Sequence, residues 1–239
     1  MRTFKALAIL ILLISLTRAA MGQTNLVWQA GKVLDPTTIN ATELDQYFAA
    51  APISDAVFKR IWLKSFKEDC STKRDDLRYL RVLHANKDGL PQMGEIICNK
   101  AIASDLLYIF RKLYEANYRI ERMVLIDEYD ADDEKSMSAN NTTCFNFRKV
   151  SGSTKLSEHS YGLAIDINPR INPYVRTRAG KIEPANGKDY AYKRTNKPGQ
   201  TLLFINRNDL CYKLFTERGF IWGGSWKYNI DYQHFQKNP

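Results

Sequence analysis

The stretch SEHSYGLAID, Ser157–Asp166, places His159, one of three histidines in the chain, seven positions before a carboxylate. Residues 163–168, LAIDIN, alternate large apolar side chains with small or polar ones, which is the period of a β-strand. Asp166 therefore points away from the face that the isoleucines bury. Gly162 permits a bend before the strand, and such a bend can bring the imidazole and the carboxylate to one end of it.

A second imidazole comes from His234, in the last ten residues. Two histidines and one aspartate form the three-protein-ligand set of a catalytic zinc site, whose fourth position is left to water. Asp231 precedes His234 by three positions, so it places a carboxylate near that water without being a ligand. Such a group can accept a proton from the water and later hand it to a leaving amine. The alternatives are a structural, hydrogen-bonded His159 and a surface position for Asp231.

The rest of the chain mixes helical and strand periods. The predicted elements are helices over residues 40–69 with a break at Pro52, a hairpin of Leu77–His84 and Glu95–Cys98 around a turn at Lys87–Gly89, a helix at Ala101–Ala116, a short strand at Arg122–Ile126, and a helix at Asn208–Arg218 closed by Gly219. This order predicts an α+β fold, a small antiparallel sheet with flanking helices.

The first 22 residues have the form of a secretory signal peptide. Arg2 and Lys5 precede an apolar run from Ala6 to Leu16, and small residues follow. The run falls short of the roughly 20 residues of a transmembrane helix. We therefore expect export to the periplasm or the cell exterior without a permanent membrane anchor. Removal of this segment would lower the formal charge from +9 to +6, because it contains three basic residues and no acid.

Four cysteines follow the signal segment: Cys70, Cys98, Cys144 and Cys211. An even number in an exported chain favours disulfides, and four cysteines allow three pairings. A structural zinc site made of all four thiolates is the alternative. The scattered spacing, without a C-x-x-C pair, argues against it.

Several motifs in register carry a resemblance to a known family. Residues 157–166 fit S-x-H-x-x-G-x-A-x-D, and the other motifs are SM-x-x-NNT-x-x-FN-x-R at 136–148, NPY at 172–174, GF-x-WGG-x-W at 219–226 and D-x-x-HF at 231–235. In this order they resemble the zinc D-alanyl-D-alanine carboxypeptidase and L-alanyl-D-glutamate endopeptidase family. That family includes the dipeptidases of vancomycin resistance and, closest in motifs, the endolysin-like carboxypeptidases. The resemblance extends from about Leu77 to Phe235.

The resemblance implies a Hedgehog/DD-peptidase-like zinc peptidase fold. It implies that His159, Asp166 and His234 bind Zn²⁺ and that Asp231 is the catalytic carboxylate. Arg148 matches the arginine that polarises the scissile carbonyl, with an ion pair to the acidic segment 127–134 as its alternative role. The implied organisation is a signal peptide at 1–22, an N-terminal helical extension at 23–76 and a zinc peptidase catalytic domain at 77–239.

Four further side chains are considered for a role in or near the site: Ser157, Trp222, Trp226 and His84. Ser157 is a candidate substrate-binding residue that could instead hold His159 or cap a turn. Trp222 and Trp226 are candidates for the substrate groove, with Trp222 preferred, although aromatic residues beside a Gly-Gly bend more often pack in a core. His84 matches no ligand position and is expected to be structural or exposed.

The expected substrate is the peptide stem of peptidoglycan, which is cut at D-Ala-D-Ala or at L-Ala-D-Glu. The protein is expected to be a monomer. The basic segment 176–199 carries seven Lys and Arg residues against two acids, and it is either a solvated loop or an attachment to an anionic cell wall. Without a nucleic-acid-binding motif, no nucleic-acid partner is expected. Two other interpretations stay open: a non-catalytic, zinc-containing cell-wall binding module, since Hedgehog signalling domains share the architecture, and a metal-free wall-binding protein.

Overall fold

The computed structural model describes residues 27–192, 194–196, 199–200 and 204–238, so the signal peptide expected at 1–22 lies outside the described part. Four α-helices occur in that part: α1 (Asp55–Ile61), α2 (Ala103–Glu115), α3 (Asp133–Ser138) and α4 (Leu210–Glu217). The strands there are β1 (Ala49–Pro52), β2 (Leu77–Ala85), β3 (Pro91–Asn99), β4 (Ala164–Asp166), β5 (Tyr174–Arg176), β6 (Lys181–Glu183), β7 (Ile221–Trp222), β8 (Asn229–Asp231) and β9 (His234–Gln236). They pair into three antiparallel sheets, β1-β2-β3, β4-β9-β7 and β6-β5-β8. The α+β class with small antiparallel sheets is confirmed.

The first sheet is built on the hairpin that the sequence predicts. β2 and β3 pair along their whole length. At the turn, the Asn86 side-chain oxygen accepts hydrogen bonds from the backbone N–H groups of Asp88 and Leu90, both at 3.0 Å. Gly89 closes the turn with a φ of +84°, a value that favours glycine. Helix α2 buries its apolar face in the core cluster that also contains side chains of β2 and β3.

The second sheet places strand β4 at the centre of the same core. Ile165 and Ile167 are fully buried, as the alternation predicts. On the neighbouring strand, the ring of Phe235 stacks on Phe215 of α4 at a centroid distance of 4.3 Å. Each such side chain contributes roughly 1.5–3 kcal/mol on full burial, so β4 and β9 are firmly anchored on their apolar side. Their other side is free to carry polar groups.

The third sheet flanks the second. β5 pairs with β6 on one side and with β8 on the other, and Tyr174 lies opposite both Glu183 and Asp231. The motif NPY therefore ends in the strand that supports residue 231. This pairing ties the middle of the chain to its C-terminal segment.

The segment before β2 is less helical than expected. Asn40 and Ser54 act as caps, but Ala41–Tyr47 is only a 3₁₀ turn and α1 ends at Ile61. Between them, Ala49–Pro52 forms the edge strand β1 against β2. Pairing with the open edge of β2 outweighs the helix propensity of three alanines, and proline is tolerated on an edge strand. The domain boundary at residue 76 stays a prediction.

The strand expected at Arg122–Ile126 does not form. Arg122 makes an isolated bridge to Asn141. The Asn141 side chain then accepts a hydrogen bond from Val124 N–H at 2.9 Å and donates one to the Val124 carbonyl at 3.1 Å. A side-chain amide thus occupies the place where a regular ladder would continue.

The structure overturns the disulfide expectation, because all four cysteines are free thiols. Cys98, Cys144 and Cys211 are buried in the core, where they serve as small apolar side chains. Burial raises the pKa of each of these three thiols. Cys70 is half-buried, and its Sγ lies 3.5 Å from the Thr72 carbonyl. The four are not grouped as a metal site within the described residues.

No helix in the described ranges combines the length and the apolar character needed to cross a membrane.

Candidate metal centre and catalytic cavity

Three short elements bring the candidate ligands together. His159 lies in a 3₁₀ turn, Glu158–Tyr161, and the Ser157 hydroxyl oxygen accepts a hydrogen bond from the His159 N–H at 3.3 Å. The turn ends at Gly162 with a φ of +66°, so the chain reverses there into β4. Asp166 ends β4 and stands directly opposite His234, the first residue of β9. Opposite residues of an antiparallel pair share a face, so these two side chains meet.

The donor atoms of His159, Asp166 and His234 lie within 4.8 Å of one another, and all three residues are buried. His159 Nε2 lies 3.3 Å from His234 Nδ1 and 3.2 Å from an Asp166 carboxylate oxygen. His234 Nδ1 lies 3.1 Å from the other Asp166 oxygen. Tetrahedral zinc with bonds of about 2.0 Å separates its ligand atoms by about 3.3 Å, so the triangle fits that ion.

The hydrogen bonds behind the triangle leave lone pairs facing its centre. His159 Nδ1 donates to the Cys144 carbonyl at 2.5 Å, and His234 Nε2 donates to the Gln236 side-chain oxygen at 3.0 Å. Each of these bonds uses the proton of a neutral imidazole, so His159 Nε2 and His234 Nδ1 remain electron-pair donors. Such outer partners are typical of metal-ligating histidines.

The electrostatics of the triangle agree with a cation site. Burial disfavours ionisation of Asp166, but the two imidazoles outweigh it and hold the pKa of this carboxyl well below its usual range. Burial likewise opposes a charge on His234, yet the Asp166 carboxylate raises the pKa of that imidazole. The centre of the triangle therefore attracts positive charge, and zinc is a group that these residues fit.

Asp231 lies at the end of β8, close to the triangle. Its Oδ1 is buried and has no hydrogen-bond partner among the described residues. Burial raises the pKa of Asp231 to about 7 against the lowering effect of His234. Gly223 makes room for this strand: a Cβ there would lie 2.7 Å from the Asp231 carbonyl oxygen and 3.2 Å from the His234 Cβ. The first glycine of the W-G-G motif thus allows the close approach.

Arg148 lies beside the turn that carries His159. Its backbone N–H donates to the Ser160 hydroxyl at 2.9 Å, and its carbonyl accepts a hydrogen bond from Ser157 N–H at 3.0 Å. The guanidinium forms an ion pair with Asp133, a residue of the acidic segment 127–134. It also lines the cavity described below, so the ion pair fixes the guanidinium at the cavity wall.

A cavity of about 780 Å³ opens over these groups and is lined by His159, Asp166, His234, Asp231, Arg148 and Ser157. Ser157 thus faces the cavity and also caps the turn. Trp222 lies elsewhere: it is buried in the core, its indole N–H donates to the Tyr232 carbonyl at 2.9 Å, and its ring packs near Phe235. Within the described residues, the tryptophan on the cavity wall is Trp226.

Sequence reasoning preferred Trp222 to Trp226 and missed Gln233 and Gln236 as residues of the cavity lining. The spacing G-G-x-W gave a signal for Trp226, whose ring lies 5.4 Å from the His234 ring. Gln236 is two residues from His234 on the same strand and therefore on the same face, a relation that the strand period could have indicated. His84, expected to be structural, is buried, and its Nδ1 donates to the Ile120 carbonyl at 2.8 Å.

Residues 151–237 match the model of a family described as D-alanyl-D-alanine carboxypeptidase. Over this segment the chain is similar to that family. The match confirms the resemblance that the motifs carried, and it contains His159, Asp166, Asp231 and His234. Arg148 lies three positions before the matched segment. No curated protein and no solved structure matched the chain.

Members of the D-alanyl-D-alanine carboxypeptidase family are zinc-dependent peptidases, and the match supports a peptidase of that kind. The part of the chain within the match supplies the whole ligand triangle. The part before it supplies the wall of the cavity that contains Asp132, Asp133 and Arg148.

Proposed function

We propose that the chain is an exported zinc metallopeptidase that hydrolyses peptide stems of peptidoglycan, with a Hedgehog/DD-peptidase-like fold. The bond cut is D-Ala-D-Ala or L-Ala-D-Glu. The observation that carries the proposal is that the ligand triangle lines the same cavity as Asp231, whose carboxylate keeps one oxygen without a hydrogen-bond partner among the described residues. A metal-binding triangle alone would serve a structural site equally well, whereas a nearby proton acceptor is what hydrolysis requires.

His159, Asp166 and His234 would hold the zinc ion, which when bound supplies Lewis-acid activation of water and of the scissile carbonyl. Asp231 performs the proton transfers. A carboxyl whose pKa is raised to about 7 can accept a proton from the attacking water and return it to the leaving nitrogen near neutral pH. The hydroxyl oxygen adds to the carbonyl carbon, the C–N bond breaks, and the proton leaves with the amine.

Arg148 stabilises the negative charge that develops on the carbonyl oxygen. A guanidinium stays protonated throughout the working pH range and donates from a rigid fork. The ion pair with Asp133 holds it at the cavity wall, so little reorganisation is needed when the charge appears. Ser157 supports the same arrangement through its hydrogen bond with the His159 backbone.

The test is mass spectrometry of defined muropeptides incubated with the zinc-loaded protein and with the chelated protein. Loss of one terminal alanine would indicate a carboxypeptidase, and release of stem fragments an endopeptidase. Cleavage should disappear on chelation. Asp231→Asn is expected to lower kcat by about 10²- to 10⁴-fold while one zinc ion stays bound. Asp189→Asn, an exposed acid outside the cavity lining, is the matched control.

If zinc binds and none of the muropeptides is cut, the catalytic proposal fails for these substrates. The non-catalytic, zinc-containing wall-binding module would then be the better description. If zinc does not bind at all, the metallopeptidase is excluded and the histidines are structural.

A further inference from the structure

The walls of the cavity are acidic although the chain as a whole is basic. The full sequence carries a formal charge of +9. Around the catalytic centre, however, five further carboxylates line the cavity, against the three cationic side chains of Arg148, Lys155 and Lys181. The five are Asp132, Asp133, Glu134, Glu158 and Glu183. A wall of this sign favours a ligand that carries positive charge.

Four of the five carboxylates already have partners. Asp133 pairs with Arg148, and Glu183 pairs with Lys181 at 2.5 Å. A Glu134 oxygen accepts a hydrogen bond from the backbone N–H of Ala185 at 2.7 Å. Asp132 caps helix α3 by accepting from the N–H of Lys135 at 3.0 Å. These four carboxylates are therefore occupied by contacts within the protein.

Glu158 is different. Within the described part of the chain, its carboxylate has no hydrogen bond and no ion pair, although the residue is half-buried and lines the cavity. It directly precedes His159 in the sequence and lines the same cavity as the three candidate ligands. Lys155, the cavity cation without an ion pair among the described residues, is exposed, and solvent screens its charge.

A second feature of the same cavity also requires a donor. The Gln233 side chain lines the cavity, the residue is 2% exposed, and its Oε1 is a buried acceptor without a partner in the described ranges. A buried acceptor of this kind is costly unless a ligand or a water satisfies it. Gln233 and Asp231 each keep one buried side-chain oxygen without a partner in the described ranges, and both residues line the cavity together with Glu158.

We propose that Glu158 binds a protonated primary amine on a side chain of the substrate, while the Gln233 Oε1 accepts an N–H of its backbone. The ligand class is a peptide with an ammonium group close to the scissile bond, such as the diamino acid residue of a stem peptide. The inference rests on the proposed function and adds to it the recognition of a cationic residue. Glu158 is thereby a specificity-determining residue.

The test compares peptides that differ only in that amine. One carries a free side-chain amine and its partner carries the same amine acetylated; lysine and diaminopimelic acid versions are run in parallel, because both present the ammonium group. Affinity is measured by calorimetry on zinc-loaded Asp231→Asn protein, in which turnover is slow, and kcat/KM on the wild type. Acetylation should weaken binding and lower kcat/KM by about tenfold to hundredfold.

Glu158→Gln should remove most of this discrimination, because it weakens binding of the free amine and leaves the acetylated peptide nearly unchanged. Damage to the metal site would instead weaken both peptides equally. Glu217→Gln, an exposed acid on α4, is the control and should keep full discrimination. Equal affinity for free and acetylated peptides would overturn the inference, as would unchanged discrimination in Glu158→Gln. Selective binding without cleavage would support it while refuting the proposed hydrolysis.

Discussion

Two buried asparagine side chains hydrogen-bond the segment that follows β4, the strand that ends at Asp166. The Asn140 side chain accepts a hydrogen bond from Arg170 N–H at 2.9 Å and donates one to Glu121 at 2.7 Å. The Asn172 side-chain oxygen accepts from the Ile205 N–H at 2.9 Å. Both asparagines are fully buried. Asn140 belongs to the motif at 136–148 and Asn172 to NPY, and from the sequence alone either motif could be interpreted as a substrate contact. An amide that donates and accepts at once can replace a missing ladder bond, which a carboxylate cannot do.

His84 makes the stability of the fold sensitive to acid. Burial lowers the pKa of this imidazole to about 4, and its Nε2 has no partner among the described residues. The unfolded chain binds a proton near pH 6.5, whereas the folded chain does so only near pH 4. The free energy of unfolding should therefore fall by roughly 3 kcal/mol as the pH drops from 6.5 to 4. Above pH 6.5, His84 should make no contribution to the pH dependence of that free energy.

Urea denaturation at several pH values, with chelator present throughout, measures this effect. His84→Asn keeps a donor for the Ile120 carbonyl but does not titrate, so its stability should depend less steeply on pH between 6.5 and 4. The variant need not match the wild type in absolute stability, because only the slopes are compared. Identical slopes would show that His84 is not the acid-sensitive group.

At the scale of elements, the reversal between the His159 turn and β4 depends on Gly162. Its φ is +66°, and a Cβ there would lie 2.7 Å from the backbone N of Asn99. Backbone atoms of β3 cannot move aside cheaply. Gly162→Ala should therefore destabilise the fold by roughly 2–3 kcal/mol and displace His159, which lowers zinc affinity as well.

Gly180→Ala is the matched control, because Gly180 has a φ of +62° and open space around its Cβ position. Gly180→Ala should lower the free energy of unfolding by only roughly 1 kcal/mol, because alanine is less stable than glycine in the left-handed backbone conformation. Zinc affinity should be unchanged. Chemical denaturation and competition with a chromophoric chelator give the two quantities. Equal costs for the two variants would mean that the close approach at Gly162 is unimportant.

Elements were predictable from sequence where one local signal decided them. The alternation around Ile165 predicted β4, and two strand-like runs on either side of the turn at Lys87–Gly89 predicted the hairpin of β2 and β3. β1 was not predictable, because three alanines prefer a helix and form a strand only against the open edge of β2. The same division holds in the site. Two histidines and an aspartate indicate a metal site by their residue types alone. Gln233 and Glu158 could not be assigned to the site from sequence, because only the folded cavity brings them there.

At the scale of the whole molecule, some of the cationic side chains of the basic segment 176–199 make contacts within the fold. Arg194 donates hydrogen bonds to the Ile171 and Tyr190 carbonyls, and its guanidinium lies 3.8 Å from the centre of the Tyr232 ring. Burial lowers its pKa to about 10. Arg178, by contrast, lies over the exposed ring of Tyr228. Attachment to an anionic wall would thus draw on only part of the seven cations, and it remains a hypothesis.

A metal ion held by the triangle would link segments that are far apart in sequence, so it should stabilise the whole molecule. The triangle joins the turn at His159 to β4 and to the C-terminal strand β9. A ligand that binds only the folded state at about one hundred times its Kd adds roughly 2.7 kcal/mol. For a chain of this size, that corresponds to a rise in Tm of about 5–10 °C.

Differential scanning calorimetry of the chelated protein, with and without added zinc, measures this rise. His234→Gln should abolish the response, because it removes one of the three donors, while the same protein with Mg²⁺ in place of zinc should show none, since Mg²⁺ prefers oxygen ligands. Glu217→Gln should respond like the wild type. A zinc-independent Tm in the wild type would mean that the triangle is held by its hydrogen bonds alone, and the peptidase proposal would fall with it.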